Sequence, residues 1–208
     1  MTFEPAAIAP ARDRRVRRSR AALMQATIAL VTERGTAAVP LSEIAETADV
    51  SRQVVYQQFG DRDTLLLEAA LDLVRRELLP EIADAADLSA RQNRALAAAR
   101  HFAEHRVFYR AVLTSSCAFG LNKALMGLFL PLNRQVITRL HGERTDPELF
   151  DDLALFVTGG GAAFINAWVV EGEDPLDPEE FTERLLRLTP VVTGMRPPII
   201  AHDEEQGP

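Results

Sequence analysis

One cysteine, Cys117, stands in a chain of 208 residues, so no disulfide can form within it. Disulfide-stapled secreted scaffolds are thereby excluded, and the cytoplasm is the expected compartment. No uninterrupted apolar run of about 20 residues is present, so neither a spanning helix nor a membrane partner is expected. Residues 1–10 lack a basic stretch followed by an apolar core, and do not read as a secretory signal. Catalytic signatures are missing as well: there is no G-x-x-x-x-G-K, no H-E-x-x-H and no G-x-S-x-G. The run Gly159-Gly160-Gly161 follows no strand pattern, which argues against a nucleotide loop. The expectation is therefore a protein that is not an enzyme and holds no cofactor. A small helical enzyme, or an interaction module without DNA binding, stands as the alternative.

What is present is an ordinary globular composition, 47% hydrophobic and 25% charged. The net charge of −7 is unevenly spread. Residues 11–62 hold nine Arg against six Asp or Glu, a net of +3, which leaves −10 for the rest. Six of those arginines, Arg12, Arg14, Arg15, Arg17, Arg18 and Arg20, fall within nine residues. A basic head on an acidic body suits a protein that offers one end to phosphate.

Apolar residues recur at spacings of three and four, which predicts an all-α fold of about nine helices. The first helix is expected over 14–34, with Leu23, Ala26, Thr27, Leu30 and Val31 inward and Gly35 as a left-handed stop. Two short helices follow over 42–48 and 52–58, and a fourth from Arg62 behind an Asp61 cap, ended or kinked by Pro80. Further helices are expected from Ser89 to residue 105, over 107–115, over 119–140 with a kink or restart near Pro131, over 147–170 closed by Gly172, and over 179–188 behind Asp177-Pro178. The organisation expected is a flexible tail over 1–11, a head over 12–60, a body over 61–190 and a second flexible tail over 191–208.

Residues 41–59 read LSEIAETADVSRQVVYQQF. Leu41, Ile44, Ala45 and Ala48 make one buried face; Val50 with Val54 or Val55 makes a second. Between them Asp49 occupies a tight turn that calls for a left-handed residue, and Ser51 is placed to cap the second helix. Two short helices at a steep angle are a helix-turn-helix. The second carries Arg52, Gln53 and Gln57, whose side chains pair with guanine or adenine edges, and these are the base-reading candidates. Ser51, Tyr56 and Arg62 are the phosphate candidates. Arg17, Arg18 and Ser42 complete the expected DNA contacts.

On these residues the chain resembles the TetR family of transcriptional regulators. The match runs through Leu23-Met24-Gln25-Ala26-Thr27-Ile28 and Thr32-Glu33-Arg34-Gly35, then Leu41-Ser42-Glu43-Ile44-Ala45 and Ala48-Asp49-Val50-Ser51. It ends with Val55-Tyr56-Gln57-Gln58-Phe59 and Arg62-Asp63-Thr64-Leu65-Leu66. Asp49 stands where the family often has Gly, and Pro40 where it often has Thr. The resemblance implies a homodimer whose recognition helices enter the major groove of a near-palindromic operator. It also implies a helical body that binds a small-molecule effector, and repression relieved by that effector.

In the body, three consecutive glycines inside a helix cost about 1 kcal/mol each relative to alanine. Close approach of another helix compensates, so Gly159, Gly160 and Gly161 are expected at a dimer interface together with Phe181, Leu185 and Leu188. The pocket candidates are Phe102, His105, Phe108, Tyr109, Asn122, Met126, Phe129, Phe164, Asn166 and Trp168, with Cys117 nearby. Aromatics mixed with a few polar atoms suit a largely apolar effector. His101, Glu104 and His105 share a helix face but lack a clear third ligand, so no metal is expected.

Overall fold

The structure, a computed structural model, describes residues 8–83, 88–141 and 147–193, and side chains over 13–82, 92–138 and 148–188. Every element among the described residues is helical, with no strand. Helix α1 (Ile8–Arg34) buries Leu23, Ala26, Thr27, Leu30 and Val31, the three-and-four spacing read from the sequence. Thr27 satisfies its buried hydroxyl by donating to the Leu23 carbonyl at 2.8 Å. Gly35 stops the helix at φ +64°, its N–H on the Val31 carbonyl.

Helices α2 (Leu41–Thr47) and α3 (Arg52–Phe59) are separated by a turn in which Asp49 has φ +52°. That is the left-handed conformation expected there, and Asp tolerates it because its short polar side chain can bond locally. Helix α4 (Arg62–Leu73) starts behind Asp61, whose carboxylate accepts from the Thr64 N–H at 2.7 Å.

Pro80 neither ends this helix nor breaks it. A π turn (Val74–Leu78) leads directly into α5 (Leu79–Ala83), giving one continuous rod. Proline lacks an N–H and its ring crowds the carbonyl one turn back. The wider π turn, with the Leu79 N–H bonded five residues back to Val74, precedes the proline and relieves that crowding.

The body continues with α6 (Leu88–Glu104), α7 (Arg106–Leu113), α8 (Ala118–His141), α9 (Pro147–Glu171) and α10 (Pro178–Thr193). Pro131 sits inside α8, which does not restart there. Asp177 caps α10 by accepting from the Glu180 N–H at 2.9 Å. Gly172 closes α9 by close approach: a Cβ there would collide with the Trp168 carbonyl and with Leu176. The Ser89 cap lies outside the described side chains, as do most of the two expected flexible segments. Residues 8–11 and 191–193 are helical.

One apolar core runs from the head into the body. Leu23, Ile44, Val55 and Phe59 join Leu65, Leu66, Ala69 and Leu73 of α4, which lead on to Leu78, Phe102, Phe108, Tyr109 and Leu121. Arg106, largely buried, ties α7 to the end of α9 through the Val169 carbonyl at 3.2 Å, the Gly172 carbonyl and Asp174.

Helix α9 departs from one expectation. From Glu148 to Glu171 it is long and apolar enough by composition to cross a membrane, with mean hydropathy 1.7, and only 22% of its most apolar window is buried within the chain. The sequence reading missed this because Gly and Ala, not large apolar residues, fill its middle.

Candidate nucleic-acid interface

Helix α3 is anchored through Val55 and Phe59, both buried, with Val54 half-buried. That leaves Arg52, Gln53, Tyr56 and Gln57 exposed at positions i, i+1, i+4 and i+5, one continuous outward face. Tyr56 is 55% exposed, unusual for a large ring in a helix that otherwise buries its apolar residues. Ser51 occupies the N-cap position but its hydroxyl makes no cap hydrogen bond, contrary to the sequence reading. Its side chain is exposed beside Arg52.

The end of α3 is held from two sides. Arg20 of α1 donates to the Gln58 carbonyl at 3.0 Å, lies 4.3 Å over the Phe59 ring, and reaches Glu68 of α4 at 3.3 Å. Gln58 in turn donates its amide to the Ser19 hydroxyl at 2.7 Å. A cation on the last carbonyls of a helix is favourable both as a hydrogen bond and against the helix dipole. Arg20 thus positions α3, although its sequence neighbours suggested one more surface charge. Arg34 pairs with Glu43 and so fixes α2 against α1.

Arg17 and Arg18 remain at the surface, Arg17 paired with Asp13 at 2.6 Å one turn away. Ser42 is half-buried at the start of α2. Arg62 lies in a cleft of about 230 Å³ between the 35–38 loop and the turn joining α7 to α8. Its Nε is 3.7 Å from Asp63, inside ion-pair range but too long for a hydrogen bond, and that buried atom has no other hydrogen-bond partner. Asp63 accepts from the Ser116 hydroxyl at 2.9 Å, joining the start of α4 to the turn between α7 and α8.

The pocket candidates fall into separate packing clusters. Phe102, Phe108 and Tyr109 are buried in the core, where Tyr109 packs edge to face on Phe108 and tilted on Phe102. Phe164 and Trp168 stack on Phe181 at 5.1 and 4.2 Å. Asn166 donates to Asn122 at 2.6 Å, a half-buried polar bridge between α9 and α8, with Met126 and Phe129 half-buried on α8. A second cleft, of about 530 Å³, is lined instead by Gly35, Arg106, Val107, Arg110, Asp174 and Leu176 among others.

Among the expected interface residues, Phe181 is corrected: it is buried within its own chain under Trp168 and Phe164, so its ring is not available to a partner. Gly160 is exposed and Gly161 half-buried, and a Cβ on either would meet nothing, whereas Gly159 faces Met126. Leu188 is exposed and Leu185 half-buried.

The histidines have a third neighbour that the sequence hid. Glu77 of the π turn, not Glu104, faces them, and its carboxylate lies 2.6 Å from His105 Nε2 and 3.9 Å from His101 Nδ1. Burial first, and His105 second, push the pKa of His101 down to about 4 against the pull of Glu77. His101 is therefore neutral, and its approach to Glu77 is not an ion pair. Burial likewise pushes Tyr109 and the Cys117 thiol up, so Cys117 is no ready thiolate.

Residues 23–69 match the family model "Bacterial regulatory proteins, tetR family". No curated protein matches the sequence. Among solved structures the fold is similar to a putative TetR-family transcriptional regulator from Rhodococcus sp., at 17% identity and TM-score 0.60, over 84% of this chain and 98% of that one. It is similar also to NalD, the secondary repressor of the MexAB-OprM multidrug efflux pump in Pseudomonas aeruginosa, at 22% identity and TM-score 0.54, over 83% and 96%. The dihydroxyacetone kinase operon activator DhaS matches at 17% identity and TM-score 0.53, over 82% and 93%. At such identities the likeness is one of fold. Residues 23–69 thus carry the N-terminal domain of the tetR family of bacterial regulatory proteins, and most of the chain shares the fold of these solved regulators.

Proposed function

We propose that the protein is a ligand-responsive transcriptional repressor of the cytoplasm that binds a near-palindromic operator as a homodimer. The observation that carries this reading is the outward face of α3, where Arg52, Gln53 and Gln57 stand clear of the core beside Tyr56. In the major groove these three read base edges, while Ser51, Tyr56, Arg17 and Arg18 take phosphates. Arg62 and Ser42 act at the margin. The head spans residues 12–60 and the body 61–190, coupled through α4.

The homodimer is supported by a stripe along α9. Leu149, Phe156, Gly160, Ala163 and Ala167 are all exposed and recur at spacings of seven, four, three and four, one line on the helix. Phe156 is 66% exposed. Small residues at the centre of such a stripe let a second helix approach closely, and Leu188 of α10 extends the apolar surface. A partner chain covers this face in the proposed assembly, which removes any need for a membrane.

The body takes a largely apolar effector near the Asn122–Asn166 bridge, with Met126 and Phe129 as apolar neighbours, and the protein is no enzyme. Repression is the proposed sense, as NalD is named a repressor, although DhaS is named an activator. Selection of bound duplexes from a random library at low salt tests the reading. Two inverted half-sites are expected; failure to enrich any duplex overturns it.

A further inference from the structure

We propose that Glu77, His101 and His105 bind a divalent transition-metal ion of the zinc class. One donor atom from each, Glu77 Oε2, His101 Nδ1 and a His105 ring nitrogen, fall within 4.8 Å of one another. In a tetrahedral zinc site with bonds near 2.0–2.1 Å, neighbouring donors stand about 3.3 Å apart. The observed separations from Glu77, 2.6 Å to His105 and 3.9 Å to His101, bracket that value, so rotamer adjustment alone closes the site. The His105 N–H is bonded to the His101 carbonyl, which keeps the two rings on one helix face, 5.0 Å apart.

Two further features are those of a metal site. The other ring nitrogen of His101, Nε2, lies 2.8 Å from the buried Tyr109 hydroxyl. A hydrogen-bond partner of that kind orients a ligating imidazole and leaves its opposite nitrogen facing the ion. Glu77 and His105 remain partly exposed, giving an entry path, while three protein ligands leave a position for water or an anion. Two imidazoles and one carboxylate suit Zn²⁺, Co²⁺ or Ni²⁺; magnesium and calcium prefer all-oxygen sets and copper(I) prefers thiolates. The π turn is what brings Glu77 here, consistent with the use of such turns at functional sites.

This inference stands independently of DNA binding. Untagged full-length protein, stripped with a chelator, is titrated with Co²⁺ and then Zn²⁺. One ion per chain and the visible bands of four-coordinate Co²⁺ are expected, with Zn²⁺ displacing the cobalt. Glu77→Gln and His105→Gln should each abolish the bands while leaving the helical circular dichroism intact, and Tyr109→Phe should weaken binding by roughly 10-fold or more. Absence of stoichiometric binding overturns the proposal. So does binding that survives both Gln variants, which would place the ion at Cys117 or the other histidines.

Discussion

The guanidinium of Arg20 lies 4.3 Å over the ring of Phe59 while donating to the carbonyl of Gln58 at 3.0 Å. One side chain from α1 thus grips both the apolar anchor and the last turn of α3. Arg20→Ala should destabilise the chain by about 1–2 kcal/mol, from the lost ring contact and charged hydrogen bond, which are half exposed. Urea unfolding measures this. DNA affinity should fall alike for all sequences, since the helix is loosened and no base contact is lost.

Gln53→Ala, in contrast, should relax sequence preference by about 1–3 kcal/mol at one base pair. Competition binding against single-base operator variants reads this directly, and a uniform loss across variants would show that Gln53 does not read a base.

Arg17→Ala should lower affinity for every duplex and reduce the slope of log affinity against log salt by about one. Its surface pair with Asp13 is screened and weak, so Arg17 is free to exchange it for phosphate. Anisotropy titrations over a range of salt concentrations test this; an unchanged slope would remove Arg17 from the contact set.

Phe156→Asp should convert the dimer to monomer. Sedimentation should give two chains per particle for the parent protein at micromolar concentration and one for the variant. A monomeric parent would sink the dimer, and a dimeric variant would move its interface away from α9.

Asp61→Ala should lower the melting temperature at neutral pH by uncapping α4. The Thr64 N–H and hydroxyl hold the Asp61 carboxyl below its usual value of 3.8 in the folded chain. Its contribution is therefore complete above 3.8 and lost as pH falls through the lower folded value. Urea midpoints of parent and variant should differ at pH 7 and converge on acidification; a constant gap would mean that the charge plays no part.

The head was legible in the sequence because its signals are local. Gly35, Asp49 and Asp61 each act within four residues of themselves, and the faces of α2 and α3 follow from spacing alone. Arg20 was misjudged for the opposite reason: its partners, Phe59 and Glu68, lie 39 and 48 residues away, and only packing brings them near. Glu77 escaped notice because it meets His105 across 28 residues and from a π turn, whose register no 3.6-residue pattern anticipates. In the body, apolar spacing marked Phe102, Phe108 and Phe181 as buried without telling core from cavity or interface. Asn122 and Asn166 could have been paired only by knowing that α8 and α9 lie side by side.

The π turn in the α4–α5 rod closes its hydrogen bond over one residue more than an α-helical turn does. Each residue turns an α-helix by about 100°, so deleting Arg75 or Arg76 would swing Glu77 round the rod relative to the segment before it. The wider turn therefore sets the direction in which Glu77 leaves the helix, and with it the meeting of Glu77 with His105.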